Sequence, residues 1–386
     1  MRCSLQCVAI LYIAGASEQV CASQGVTTTV PLTGTERRVE PGFFGAIGTG
    51  LGNFMAGLFT AREVRTENHV GDVNQADMDG LTPLAHAVRN RDIPRVTMLI
   101  GLGANVNPAE GVSLIHIAAL NGDVELAELL VAHGANVNAR NRDGATAFHI
   151  AIQMGNINLV RALMTHANVY LGDRRELPPL HMAVMGGFVE IATLLLDRGA
   201  NVRAIDPAGF PALHVAARQG DINMATALMD RGANVHTGAM SRPRCGALDV
   251  AARHGQIEMV QLLITRGANV NQAHALGRTP LHFAILAGRL DIVELLYRNG
   301  ADLEAVASNG GTLLMLAARH GCVEIVQFLL GNRVQLETVN ADGATALDIA
   351  RDARDRAPAE EQYRFGTIVQ LVEQALGQEN EPFVFK

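Results

Sequence analysis

Gly277-Arg278-Thr279-Pro280-Leu281-His282-Phe283-Ala284 is the fullest copy of a phrase that recurs down most of this chain. Gly80-Leu81-Thr82-Pro83-Leu84 repeats its opening, and Ile115-His116-Ile117-Ala118-Ala119, Leu180-His181-Met182-Ala183 and Leu213-His214-Val215-Ala216-Ala217 repeat its close. The apolar residue at the Leu position falls at Leu84, Ile115, Phe148, Leu180, Leu213, Leu248, Leu281, Leu314 and Leu347. Successive positions lie 31 to 35 residues apart. A phrase kept at one interval over this length marks a structural unit stacked on copies of itself.

The copy that starts at Gly111 shows how the unit is built. Ser113 stands at a helix start, where a hydroxyl can accept a backbone N–H, and Thr82, Thr146, Thr279, Thr312 and Thr345 stand likewise in theirs. A Pro at the next position suits the first helical turn, whose N–H has no partner in any case. Ile115, Ala118 and Ala119 give an apolar stripe, and Asn121-Gly122 stops the helix. A second helix is predicted over Val124 to Ala132, closed by His133-Gly134. Ala135 to Asp143 then makes an extended, turn-rich excursion to the next Gly144. Helices this short are marginal alone, below roughly 12–15 residues. Each pair must therefore bury its faces on the pairs before and after it. Small residues at the contacts (Ala87, Ala118, Ala151, Ala183, Ala216, Ala251, Ala284, Ala317, Ala350) let the layers approach.

Phrase and period together resemble the ankyrin repeat. That resemblance implies an all-α solenoid of about nine helix-turn-helix repeats with hairpin-like loops over residues 72–377. It also implies that the recurring His (His116, His149, His181, His214, His282) hydrogen-bonds between neighbouring repeats. The function it implies is protein binding on a concave face lined by first helices and loop tips.

Composition narrows the chemistry. Trp is absent and aromatics make up 4% of the chain, which fits thin layers of Leu, Val, Ile and Ala. A formal charge of −7 argues against generic nucleic-acid binding. Lys386 is the sole lysine in a chain of 386 residues. No phosphate-binding loop that needs a Lys and no Schiff-base lysine can exist here. Such scarcity follows from nucleotide bias in a GC-rich genome, or from selection against ubiquitin attachment in a eukaryotic cytosol. Cys3, Cys7, Cys21, Cys245 and Cys322 form neither a disulfide framework nor a metal spacing. Cys322 reads as a small core residue and Cys245 as an exposed one at a loop-to-helix junction.

The ends differ from the middle. Residues 1–22 read as a secretory leader, with Arg2, a short apolar run Val8 to Ala14 and Ala14-Gly15-Ala16 in cleavage-site form. Export follows from that reading, and a cytoplasmic chain is the alternative. Residues 23–71 form a Gly-rich segment. Within it, Gly42 to Ala61 is uncharged and as long as a membrane span, but its six glycines weaken a helix. It is read as a helix capping the stack, with membrane contact as the rival. The corresponding alternative function is a membrane-tethered or secreted bacterial effector or adaptor acting on host proteins. Near the other end, Asp352 to Arg364 is a charged insertion, Thr367 to Glu373 resumes a helix, and 378–386 is a tail.

No catalytic set emerges from spacing, and neither a metal nor a cofactor is expected. His133, His166, His236, His254 and His320 are dispersed and lack the pairing of a zinc helix. Asp77 to Gly80 and Asn340 to Gly343 resemble a calcium loop only in part, because His86 and Ile349 stand where the acidic ligand belongs. Their Asp and Asn side chains are expected to fix turns instead.

Recognition residues are therefore sought at the variable positions of the repeat. Just after the Ala pair, the first half of the face offers Leu120, Gln153, Met154 and Met185. The second half offers Arg218, Arg253, His254, Arg319 and His320. Loop tips add Arg140, Arg142, Arg174, Arg175, Arg242, Arg244 and Arg278. An acidic chain thus places a basic set on one face, and the partner expected is another protein with an acidic patch.

Overall fold

The computed structural model describes residues 72–108, 113–173, 176–239 and 245–377. Eighteen α-helices run through them in pairs. The first helix of each pair is α1 (Pro83–Arg89), α3 (Leu114–Leu120), α5 (Ala147–Gln153), α7 (Pro179–Met185), α9 (Ala212–Gln219), α11 (Ala247–Arg253), α13 (Pro280–Leu286), α15 (Leu313–Arg319) and α17 (Ala346–Arg356). The second helices are α2 (Ile93–Gly101), α4 (Val124–Ala132), α6 (Ile157–Met164), α8 (Val189–Asp197), α10 (Ile222–Asp230), α12 (Ile257–Thr265), α14 (Leu290–Arg298), α16 (Val323–Gly331) and α18 (Gln362–Gly377). First helices pack on first helices of the adjoining pairs, and second on second. The leader, the 42–61 segment and the tail lie outside the described residues. No described helix is long and apolar enough to cross a membrane.

A hydroxyl of the phrase caps four of the nine first helices; Thr279 makes no such bond, and α7, α9 and α11 start after Pro178, Pro211 and Gly246. Thr82, Thr146, Thr312 and Thr345 accept the N–H of the residue three further on. Ser113 makes no such side-chain bond. At Thr146 and Thr279 the recurring His completes the cap, its Nδ1 accepting the Thr backbone N–H at 3.1 Å. Gly122 stops α3 with φ +65°, a geometry that costs any residue with a Cβ. The loops fold as turns closed by Asx side chains. Asp77 Oδ1 accepts from the N–H groups of Asp79 and Leu81, and Asn340 Oδ1 from those of Asp342 and Ala344. In three loops the flanks meet as isolated β-bridges, Ile205 with Pro211, Gly238 with Gly246 and Val306 with Thr312.

Burial follows the layers. Leu84, Ile115, Phe148, Leu180, Leu213, Leu248, Leu281 and Leu314 are all buried, as are the alanines at the layer contacts from Ala87 to Ala350. Leu347 is only half-buried, since it belongs to the last pair. That pair also departs from the sequence reading. The charged stretch is not an insertion between helices: α17 continues to Arg356, and α18 begins at Gln362. Cys245 is buried rather than exposed, its carbonyl taken by His214. Cys322 is half-buried at the start of α16. The third pair lacks a helix-stop Gly, and α6 is one residue shorter than most second helices. Glu176, where most copies have Gly, is held at φ +59°.

Three hydrogen-bonded devices tie one layer to the next. In the first, His116 Nε2 donates to the Ala145 carbonyl at 2.9 Å, His181 to Phe210 at 3.0 Å and His214 to Cys245 at 3.0 Å. These rings are buried and neutral, because burial is the largest influence and holds His116, His149, His181, His214 and His282 below the usual imidazole range. The second is an asparagine ladder along the loops. Asn107 Oδ1 accepts from Asn136 N–H while its Nδ2 donates to the Gly134 carbonyl, both at 2.8 Å. Asn74, Asn138 and Asn271 repeat the pattern. At the matching position Arg203 and His236 stand exposed, and their side chains make no such bond. In the third device the residue before a second helix reaches back to the preceding repeat. Asn156 donates to Gly122 O, Gln256 to Arg218 O and Arg289 to Gly255 O. Phe188 does the same by contact: a Cβ on Gly155 would stand 2.6 Å from its ring.

Two outcomes follow from this packing. Leu281→Ala removes a fully buried side chain between layers. It should lower unfolding free energy by about 2–5 kcal/mol, read from urea denaturation. The histidines set the pH response. Their folded pKa lies below the unfolded value near 6.5, so the stability they contribute is complete above that value. It is lost as pH falls toward the folded values, about 4 for His214 and His282. The urea midpoint should therefore drop between pH 7 and pH 5, and a flat midpoint would show that these rings are not neutral donors.

Candidate functional site on the first-helix face and hairpin tips

The ends of the first helices carry the variable positions. Leu120, Gln153 and Met185 are half-buried there, and Met154 is exposed. Gln219, one residue beyond Arg218, spans a junction by donating to the Met185 carbonyl at 2.8 Å. Arg218, Arg253, His254, Arg319 and His320 are exposed at the ends of α9, α11 and α15. His320 is held below the usual imidazole range by burial first, then by Arg319 and by Arg278 from the neighbouring repeat. Arg278, at the foot of its hairpin, also acts on His282.

The loop arginines do not all serve one purpose. Arg140 is exposed, yet its guanidinium donates to the Gly144 and Gly172 carbonyls, both at 3.0 Å, and so joins two hairpins. Arg142 is exposed on the same loop. Arg174, Arg175, Arg242 and Arg244 lie outside the described residues.

The chain matches the family descriptions "Ankyrin repeats (3 copies)" over residues 84–173, 148–239 and 241–307 and "Ankyrin repeats (many copies)" over 299–350. It belongs to the ankyrin repeat family. No curated protein matches the chain. Ankyrin repeats are in general protein–protein interaction modules, and this solenoid carries no match to a catalytic family. Among its described residues no group of three or more His, Cys, Asp or Glu is placed to hold a metal. The partial calcium-loop pattern is spent locally: Asp77 Oδ2 stands 2.6 Å from His86 Nε2.

One functional-looking pair escaped the sequence reading. Asp249 occupies the place that His holds in other ankyrin repeats of the chain, and it is fully buried. Its Oδ2 accepts the Gly246 N–H at 2.8 Å and stands 2.6 Å from His274 Nδ1 in the next loop. The polarity of the junction is thus reversed: the acid sits in the layer and the imidazole comes from the following repeat. Burial pushes the Asp249 carboxyl up, while the carboxylate beside it pushes His274 up. Cys245 just before α11, Arg253 at the end of α11, and His214 on α9 of the preceding repeat complete the charged and titratable surroundings. An Asp where the phrase calls for His was the available signal. Asp348 shares that position in the last pair, but there it is exposed and bonds Thr345.

Asp249→Ala should cost about 1–3 kcal/mol, the range for leaving buried partners unsatisfied. Asp348→Ala should cost less, because water replaces its bonds. Parallel denaturation of the two variants reads the difference, and equal losses would deny the buried pair any structural weight.

Proposed function

We propose that this ankyrin protein is a non-enzymatic scaffold that binds a partner protein on the concave face of its solenoid. The partner carries an acidic patch that meets the second half of the face. The observation that carries the reading is the exposure of Arg319 at the end of α15, with Arg278 half-buried on the hairpin before α13. Arg253 and Arg218 extend the set in register toward the middle of the stack, exposed at the ends of their helices. Arg favours such a site because its planar fork bonds carboxylates in pairs. Exposed ion pairs contribute little singly, about 0–1 kcal/mol, but several together steer association. The first half, with Leu120, Gln153, Met154 and Met185, supplies apolar and amide contacts to the same partner.

The test is the triple substitution of Arg218, Arg253 and Arg319 to Glu. A partner is first recovered by affinity purification with the full chain and identified by mass spectrometry. The variant should associate at least tenfold more slowly at low salt and lose most of its salt dependence, with its helical circular dichroism unchanged. Unchanged association rates in the folded variant would move the binding surface to the Leu120–Met185 half.

A further inference from the structure

The hairpin tips of three consecutive repeats are tied to one another. Ser308 N–H donates to the Leu276 carbonyl at 2.8 Å, and Ala341 N–H donates to the Asn309 carbonyl at 2.9 Å. Among the described residues these are the backbone bonds that join one hairpin to the next. The tied hairpins present three large apolar side chains to water, Leu276 at a tip and Val306 and Val339 on the flanks. Leu276 is 61% exposed, Val306 50% and Val339 53%.

Leu276 stands out for a second reason. It sits at φ +63°, ψ +24° in the short turn Ala275–Gly277. A leucine adopts this left-handed geometry only against its Cβ, and Gly or Asn would hold the same turn with less strain. The position therefore combines backbone strain with an exposed apolar side chain, and neither stabilises the fold. Strained residues of this kind gather at binding sites, where the side chain is what the strain secures.

Charge around the platform is uneven. Arg278 follows Leu276 by two residues and acts with Arg319 on His320. At the other end, Glu337 and Asp342 are exposed on the last hairpin. A ligand made only of anions would gain nothing from Leu276, Val306 and Val339. A purely apolar one would gain nothing from the arginines.

We propose that these three hairpins dock a short extended peptide segment of a partner protein, which sets bulky apolar side chains on Leu276, Val306 and Val339 and carboxylates on Arg278 and Arg319. The proposal rests on the acidic-partner reading above and adds the apolar contact and a direction. Carboxylates lie toward Arg278, and the uncharged end lies over Val339, where Glu337 and Asp342 would repel them. The rigid platform lowers the ordering cost of binding, because the tips are already joined.

A displayed library of random twelve-residue peptides, selected on the full chain, tests this. Enriched peptides should combine Asp or Glu at one end with Leu, Ile, Val or Phe at the other. Leu276→Gly should bind them at least tenfold more weakly while its melting temperature holds or rises, since Gly takes the turn without the Cβ clash. Val306→Ser, which leaves the tip bonds in place, should weaken binding in the same sense, and so should Arg319→Glu. Failure to enrich any peptide overturns the proposal. So does equal binding to the parent and Leu276→Gly, or enrichment of peptides that need Leu276 but carry no carboxylate. The two readings separate cleanly. If the triple Arg→Glu variant loses its partner while Leu276→Gly keeps both partner and peptides, the platform is wrong and the basic face stands. If Leu276→Gly loses both while the triple variant keeps its partner, the basic face is wrong, and the carboxylate contact on Arg319 falls with it.

Discussion

No repeat in this protein can bury its own core, and everything else in the stack answers to that constraint. A seven-residue first helix and a nine-residue second helix, as in α3 and α4, have too little surface between them to exclude water from Leu114, Ile115, Leu126 and Leu130. Those side chains become fully buried only when the next layer arrives. The alanines matter for the same reason. Ala118, Ala151 and Ala183 are inaccessible to water because each layer lies close against the next, and a larger side chain there would hold the layers apart.

Close layers bring backbone carbonyls together with no water to satisfy them, and the inter-layer hydrogen bonds address that. A neutral imidazole is well suited to the task. His214 spans from one layer to the Cys245 carbonyl of the next without importing charge, and burial keeps it neutral at physiological pH. Where Asp249 replaces the imidazole, the junction must carry a carboxylate in the same dry space, and His274 supplies the compensating partner. The two solutions respond to acid in opposite senses. The five histidines lose stability as pH falls, whereas both members of the pair have raised folded values and bind protons more readily in the fold.

The fold was legible because the constraint is periodic. Thr82, Thr146 and Leu281 each sit where the phrase places them, and the spacing of Gly, Pro and Leu carries enough to assign every layer. What the sequence hides is whatever depends on a residue about 30 positions away. Asp249 and His274 are separated by a whole loop and helix, and nothing local pairs them. Arg140 reads as a free loop cation until two carbonyls are found on its guanidinium. Cys245 reads as exposed because it stands at a loop-to-helix junction, yet it is buried, with His214 of the preceding layer on its carbonyl. The basic half of the candidate site was visible as a register of arginines. Leu276, Val306 and Val339 were not, because solvent exposure and a left-handed backbone leave no mark in the order of residues.

The asparagine ladder has a consequence for chemical ageing. Each ladder amide serves as acceptor through Oδ1 and donor through Nδ2, so deamidation would put an oxygen against the glycine carbonyl that Asn107 or Asn271 now bonds. Asn deamidates fastest before Gly, where a bare backbone N–H can attack the side-chain amide. The ladder residues are followed by Gln75, Pro108, Ala139 and Gln272 instead. The Asn-Gly pairs of the repeats, Asn121-Gly122, Asn299-Gly300 and Asn309-Gly310, fall at helix stops and a hairpin tip. At Asn299 and Asn309 the side chain bonds within its own repeat. Slow damage at those two sites would still reach a neighbouring layer, because the Asn309 carbonyl holds the Ala341 N–H and the Gly300 carbonyl holds the Asn271 amide.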